Sequence, residues 1–431
     1  MMHKIYNEDD LLLPTENVAV IGSGLMGHGI ALVAAMAGQK VVLIDTSVRA
    51  LENAQQRIAD GLDRMALKGR LAEPAEKILP RIRSSRNIKV GVRGAGLVFE
   101  AVPEDLALKR RIVKAVEAAA PQTAILATNT SGLSINAIAA VLDHPGRFIG
   151  MHWMNPAPRM PVVEIIPGRH THDDTTRRAM SICARYGKQP ILCRRDVWYF
   201  LASRARSGLS FEANRLYLDG RAGVAEIDAA LRHQLQLPMG EFELMDLTGA
   251  VDIRTRGQRS ADRLVSENPH FEPWPAFLSL HRHLVTSLWA PMSARGACGI
   301  KSGYGFYDSP GKGARRDVSP AFIDALEILA PAVNCAAWCV TNAVGSIEDL
   351  NRLFLLAFGW PKGIFDFIDD YGPDTLCAVL EEKRAAAPVA WRDFYLADRL
   401  LADWPRCDAR NAVADVTMKV DSVQHVRGTP I

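Results

Sequence analysis

One stretch limits what this chain can fold into more than any other: Asn17-Val-Ala-Val-Ile-Gly-Ser-Gly-Leu-Met-Gly-His-Gly-Ile. The apolar run Val18 to Ile21 has the length and composition of a strand buried on both faces. Gly22, Gly24 and Gly27 follow as Gly-x-Gly-x-x-Gly, and the Ala-rich segment from Leu25 to Ala37 reads as a helix. A second apolar run, Val41 to Ile44, ends in Asp45. Strand, glycine turn, helix, strand and acid, in that order, are the context in which the glycines signify dinucleotide binding. Gly22 permits the tight turn, Gly24 lets a pyrophosphate approach the backbone, and Gly27 lets helix pack on strand. The first N–H groups of the helix, around Leu25 and Met26, offer phosphates the positive end of the helix dipole. A carboxylate at Asp45 accepts from both ribose hydroxyls and repels a 2′-phosphate, so NAD is expected rather than NADP.

The alternation continues. Strands are expected at Leu97 to Val102, Ala124 to Ala127, Arg147 to His152, Val162 to Ile166 and Pro190 to Cys193. Helices are expected between them, a long one at Val48 to Leu67 and others at Leu106 to Ala120 and Asp173 to Tyr186. This predicts an α/β, Rossmann-type, doubly wound and mostly parallel sheet over residues 1–195, with residues 1–16 as a short arm before it. After Asp196 the strand signal ends and the pattern is helical, interrupted by a linker from Asp308. The segment Glu226-Ile-Asp-Ala-Ala-Leu with Leu237-Pro-Met-Gly-Glu-Phe recurs as Asp349-Leu-Asn-Arg-Leu-Phe with Trp360-Pro-Lys-Gly-Ile-Phe. Pro238, Gly240, Phe242 and Asp246 stay in register with Pro361, Gly363, Phe365 and Asp369, as a duplicated unit requires. Two helical domains, 196–311 and 312–431, are therefore expected in an all-α C-terminal region, the last stretch being a polar tail.

A formal charge of +3 over 431 residues, without a basic face, argues against nucleic acid. No apolar run is long enough to span a membrane, and the first ten residues are too acidic for a leader. Seven cysteines, scattered and without a C-x-x-C pair, fit a reduced, cytoplasmic protein. Cys335 and Cys339 lie one helical turn apart with no further ligands in sight; they read as core, and no metal site is expected.

In a doubly wound sheet, ligands sit beyond the carboxyl ends of the strands. Asp45, Glu104, Ser131 and His152 all fall there. A neutral imidazole at His152 can take a proton from a substrate hydroxyl near neutral pH. A carboxylate at Glu164, on the next strand, can bind the other ring nitrogen and fix the tautomer. Ser131 and Asn155 are neutral polar groups suited to a substrate oxygen and the nicotinamide amide. With NAD, this set makes an alcohol–carbonyl oxidoreductase. Lys68 and Arg70, after the long helix, fit either a hold on ligand phosphate or a helix C-terminus, and spacing favours the second.

These residues resemble the L-3-hydroxyacyl-CoA dehydrogenase family. The carriers are Val-Ile-Gly-Ser-Gly-Leu-Met-Gly, Glu100-Ala-Val-Pro-Glu104, Thr128-Asn-Thr-Ser131, His152-Trp-Met-Asn-Pro, Val163-Glu164, Pro238-Met-Gly-Glu-Phe-Glu-Leu-Met-Asp-Leu and Lys301-Ser-Gly-Tyr-Gly-Phe-Tyr. The resemblance covers about residues 17–310 and, through the repeat, extends to about 375. It implies NAD-dependent oxidation of a 3-hydroxyacyl-CoA in fatty acid metabolism. His152 would be the base, Glu164 its partner, and Ser131 and Asn155 substrate and cofactor contacts. It also implies Glu104, Lys109 and Lys301 at the NAD site and Lys68 near the CoA phosphates. The family dimerises through its helical domain, so either a homodimer or an internally pseudo-dimeric monomer is implied. One segment departs: where the family has Pro-Gly-Phe-x-x-Asn-Arg, this chain has Trp198-Tyr199-Phe200-Leu-Ala-Ser203-Arg204. Ser203 stands where the substrate-holding Asn is usual. That leaves open a non-CoA hydroxy acid, a pyridine aldehyde, or a non-catalytic NAD-binding protein.

Overall fold

The computed structural model describes residues 17–267, 272–308 and 323–404. The expected arm over 1–16, most of the linker after Asp308, the tail and Cys407 lie outside the described residues.

The first half is an eight-stranded sheet. Its strands are β1 Val18–Ile21, β2 Val41–Ile44, β3 Ile82–Ser85, β4 Leu97–Glu100, β5 Ile125–Thr128, β6 Phe148–Trp153, β7 Val162–Pro167 and β8 Gln189–Leu192, in the order β3-β2-β1-β4-β5-β6-β7-β8. All neighbours are parallel except β6 and β7. The central strands β1, β4 and β5 are buried along their whole length, as helices on both faces of a parallel sheet require. The order reverses between β1 and β4, which opens the crevice where such sheets bind ligands. The principal helices here are α1 Leu25–Met36, α2 Val48–Ala66, α3 Leu106–Glu117 and α4 Asp173–Arg185. Ser47 caps α2 by accepting from the N–H of Ala50, and Asp105 caps α3 by accepting from that of Leu108.

The second half is helical: α5 Ala202–Leu218, α6 Val224–Gln234, α7 Glu241–Thr248, α8 Ala250–Glu267 and α9 Pro275–Leu284, then α10 Leu326–Thr341, α11 Ile347–Ala357 and α12 Pro373–Ala386. The repeat is visible as repeated geometry. In the first copy Asp228 Oδ1 accepts from Phe242 N at 2.9 Å and Gly240 N donates to Glu243; in the second Asn351 Oδ1 accepts from Phe365 N at 2.9 Å and Gly363 N donates to Asp366. The N–H of Leu237 donates to the Leu231 carbonyl in one copy, and that of Trp360 to Phe354 in the other. The leading helices of the two copies, α5 and α10, cross where Gly208 meets Pro331, and a Cβ on Gly208 would come within 2.0 Å of the Pro331 carbonyl oxygen. These two residues are equivalent in the repeat, so the two copies meet through the same position of each. Buried Glu212 accepts from Arg215 on its own helix and, across to the second copy, from Lys383 and Tyr395.

Asp228 and Asn351 differ in one consequential way. Burial pushes the Asp228 carboxyl up to about 7, although Phe242, Tyr307 and Glu243 donate to it. An acid whose folded-state value is raised stabilises the fold below its unfolded value and loses that contribution as pH climbs through the folded one. Denaturant titrations are expected to show Asp228→Asn flattening a decline in stability between about pH 4 and 7, with a slope of at most about 1.4 kcal/mol per pH unit. An unchanged slope would place the titration elsewhere.

Candidate active site

The glycine turn behaves as three different constraints. Gly22 has φ +95°, and a Cβ there would lie 2.6 Å from the Ala101 carbonyl oxygen. A Cβ on Gly27 would lie 1.7 Å from the Gly22 carbonyl oxygen. A Cβ on Gly24 would meet nothing within 4 Å. The protein itself therefore demands glycine at Gly22 and Gly27, while the space at Gly24 is open for a ligand. Gly24 is also the N-cap of α1, with no side-chain cap on the helix and no acid in its first turn, so the N-terminal end around Leu25 and Met26 suits an anion.

Asp45 closes the far side of this turn. Its Oδ2 accepts from the N–H and the hydroxyl of Ser23, both at 2.9 Å, and its Oδ1 from Ser47 N at 3.0 Å. Burial raises its pKa, but the bonds from Ser23 and Ser47 outweigh that and hold it below the ordinary carboxylate range. A carboxylate has about four lone-pair sites. The Ser23 hydroxyl can turn to release one of them, which suits a ribose hydroxyl. The residues present thus fit NAD. Gly24→Ala is expected to leave stability within about 0.5 kcal/mol while weakening NADH binding about tenfold or more, as read by fluorescence titration. Gly27→Ala is expected to destabilise the fold by roughly 3 kcal/mol. Equal stability losses in the two variants would refute the distinction.

Beside this crevice, Glu104 accepts from the Thr130 hydroxyl at 2.5 Å and the Ser131 N–H at 2.9 Å. It thereby joins the β4 and β5 ends and orients Ser131. Lys109 lies beneath the site, not on it. Its side chain is fully buried, and Nζ donates to both Glu100 oxygens at 2.8 and 3.1 Å and to the Val102 carbonyl at 3.2 Å, with Glu104 at 3.5 Å. Thr128 completes the Glu100 carboxylate at 2.5 Å. Lys109, expected at the NAD site, reaches that crevice through the Glu100 and Glu104 carboxylates.

His152 and Glu164 are brought together by the one antiparallel pairing in the sheet, where they stand directly opposite each other on β6 and β7. Facing side chains on adjacent strands share one side of the sheet, and His152 Nδ1 lies 2.6 Å from Glu164 Oε2. His152 is inside β6, one residue before its end. Glu164 is fully buried, and its second oxygen accepts from Leu201 N at 3.0 Å and Ala202 N at 2.8 Å. Those are the first N–H groups of α5. One carboxylate thus caps the leading helix of the helical half and orients the imidazole, with the positive helix end favouring its charge. Phe200 packs near the imidazole, ring centroids 6.0 Å apart.

Asn155 is exposed, at the cis peptide bond to Pro156. Its loop is held by Lys188, whose Nζ donates to the carbonyls of Ala157 and Met160, both at 2.7 Å. Burial lowers Lys188 to about 8. Asn129 ties β5 to β6 by accepting from Trp153 N at 2.8 Å. The first turn of α5 carries Ser203, one residue beyond the N–H groups on Glu164. Lys68 is exposed on the turn after α2, and Lys301 is exposed on the Gly299–Tyr304 turn hung from Asp246 by the Ile300 N–H at 2.9 Å. Among the described residues, no hydrogen bond joins either lysine to the sheet edge.

An NAD crevice beside a buried His–Glu pair defines a nicotinamide-dependent oxidoreductase. Comparison with known proteins narrows this. Residues 17–197 match the family model of the 3-hydroxyacyl-CoA dehydrogenase NAD binding domain, and residues 200–309 and 325–408 match that of its C-terminal domain. Hydroxyacyl-coenzyme A dehydrogenase, mitochondrial, of Rattus norvegicus is 35% identical over 298 residues, covering 68% of this chain and 90% of that one. The 3-hydroxyadipyl-CoA dehydrogenase of Escherichia coli is 36% identical over 299 residues, 69% of this chain and 60% of that one. The crystal structure of an Escherichia coli 3-hydroxybutyryl-CoA dehydrogenase superposes with a TM-score of 0.75 at 26% identity, covering 91% of this chain and 98% of that one. The chain belongs to the 3-hydroxyacyl-CoA dehydrogenase family and is an NAD-dependent oxidoreductase.

Proposed function

We propose that His152, oriented by Glu164, is the base that takes the hydroxyl proton of an L-3-hydroxyacyl-CoA and returns it in the reverse reaction. The observation that carries this reading is the 2.6 Å contact between His152 Nδ1 and Glu164, itself fixed by the α5 N-terminus. With Nδ1 engaged, Nε2 is the nitrogen that serves the substrate. Bound NAD supplies the hydride acceptor. Ser131, oriented through Glu104, binds the substrate oxygen; Asn155, on the loop that Lys188 secures, binds substrate or cofactor amide. Ser203, at the start of α5, contributes a shorter polar contact to substrate. Lys301 serves the cofactor and Lys68 the CoA phosphates. Orientation of the reacting groups, together with polarisation of the carbonyl in the reverse direction, supplies most of the rate.

We further propose three units, 1–195, 196–311 and 312–431, with the second helical copy covering the surface that would otherwise face another subunit. Sedimentation at the mass of one chain would support this. Among the described residues no helix is long and apolar enough to cross a membrane, and the six described cysteines are free; we place the protein in the reducing cytosol. The test of function is acetoacetyl-CoA reduction followed at the nicotinamide absorbance. Turnover with NADH and not NADPH is expected. Faster turnover of carnitine, gulonate or a pyridine aldehyde would overturn the CoA assignment.

A further inference from the structure

Tyr199 is held in an unusual way. It and Phe200 have φ of +69° and +54°, two successive aromatic residues in the left-handed region. Non-glycine residues are uncommon there, bulky ones more so. Such conformations persist only where the surroundings over-determine them, and they concentrate at functional sites. The surroundings here are specific. The Tyr199 ring stacks on Trp198 at 4.6 Å and 16°. Its hydroxyl lies 2.9 Å from His281 Nε2, and His281 Nδ1 lies 2.6 Å from Gln258 Oε1. On α8, Gly257 leaves room for that hydroxyl, which is 3.4 Å from where a Cβ would be.

The two successive rings address the two halves of the active site. Phe200 faces the His152 imidazole. Tyr199 presses on Gly132, the residue after Ser131: a Cβ on Gly132 would lie 2.7 Å from Tyr199 Cδ1. Only 7% of Tyr199 is exposed, so the phenol fills the space between the sheet edge and α8. For a substrate oxygen held between Ser131 and His152 with the bulky CoA directed outward, the acyl tail would run inward towards this ring.

We propose that Tyr199, pinned through His281 and Gln258, is the specificity-determining wall of the site and restricts the enzyme to short-chain 3-hydroxyacyl-CoA substrates. This rests on the function proposed above. The test is kcat/KM with NADH for four-, six-, eight- and ten-carbon 3-ketoacyl-CoA substrates, in the wild type, Tyr199→Gly and Tyr199→Phe. In the wild type, kcat/KM is expected to fall about 100-fold between four and eight carbons, and Tyr199→Gly to raise the eight-to-four-carbon ratio by about tenfold or more, in line with what a few methylenes in a shaped pocket discriminate. Tyr199→Phe keeps the ring but loses the bond to His281, and is expected to relax the cutoff by less than Tyr199→Gly does. NADH binding and melting temperature report whether each variant folds, and the wild-type series stands without them. A wild type indifferent to chain length overturns the wall while leaving the function intact, as does a ratio unchanged in folded Tyr199→Gly. Bound NADH with no turnover of any acyl-CoA overturns both.

Discussion

His152→Gln is expected to lower kcat for acetoacetyl-CoA reduction by about a thousandfold or more, towards the upper end of the 10²–10⁴ range for a positioned acid–base group. Glutamine fills similar space and can still donate to Glu164, but it cannot carry the proton. The NADH dissociation constant should stay within about twofold, because the loss falls on the transition state and not on the cofactor. A drop of less than about tenfold would remove His152 from the role of base. A parallel loss of NADH affinity would mean the substitution had disturbed the crevice instead.

The second large effect is expected at Glu164, where two variants separate two duties. Glu164→Ala removes the acceptor for the His152 ring and for the N–H groups of Leu201 and Ala202. Each buried donor left without a partner costs about 1–3 kcal/mol, so denaturant unfolding is expected to show a loss on the order of 3–5 kcal/mol. Activity should fall at least about 100-fold as well. Glu164→Gln keeps an acceptor for the helix N–H groups but presents an amide N–H to the imidazole, which then favours the wrong tautomer. That variant is expected to lose activity with less than half of the stability loss. Equal destabilisation in both would mean that the carboxylate's charge at the helix end, not its accepting oxygen, carries the structural duty.

Much of the fold was legible because its signals are patterns of side chains. The buried strands β1, β4 and β5 are runs of apolar residues, and Gly22 and Gly27 mark close approaches that exclude any other residue. The nearness of His152 to Glu164 was legible because both lie within apolar strand runs that fold beside each other. The repeat was legible because Pro238 and Gly240 recur unchanged in type. What escaped depends on backbone atoms. Strand β3, at the sheet edge, contains one apolar residue, Ile82, and holds its place by ladder bonds to β2. Lys188 acts on carbonyls, and Leu201 and Ala202 act through their N–H groups, none of which leaves a mark in residue type. Lys109 escaped differently. A lysine on a helix reads as solvated until the fold brings Glu100 beneath it and buries the two as an ion pair.

The crossing of α5 and α10 at Gly208 and Pro331 belongs to one chain, so no concentration enters its equilibrium. An interface between separate subunits dissolves on dilution and must be self-complementary, every substitution appearing twice. Here neither condition applies. The crossing holds at any dilution, and its two sides are free to differ in sequence, as the glycine and the proline at its centre do.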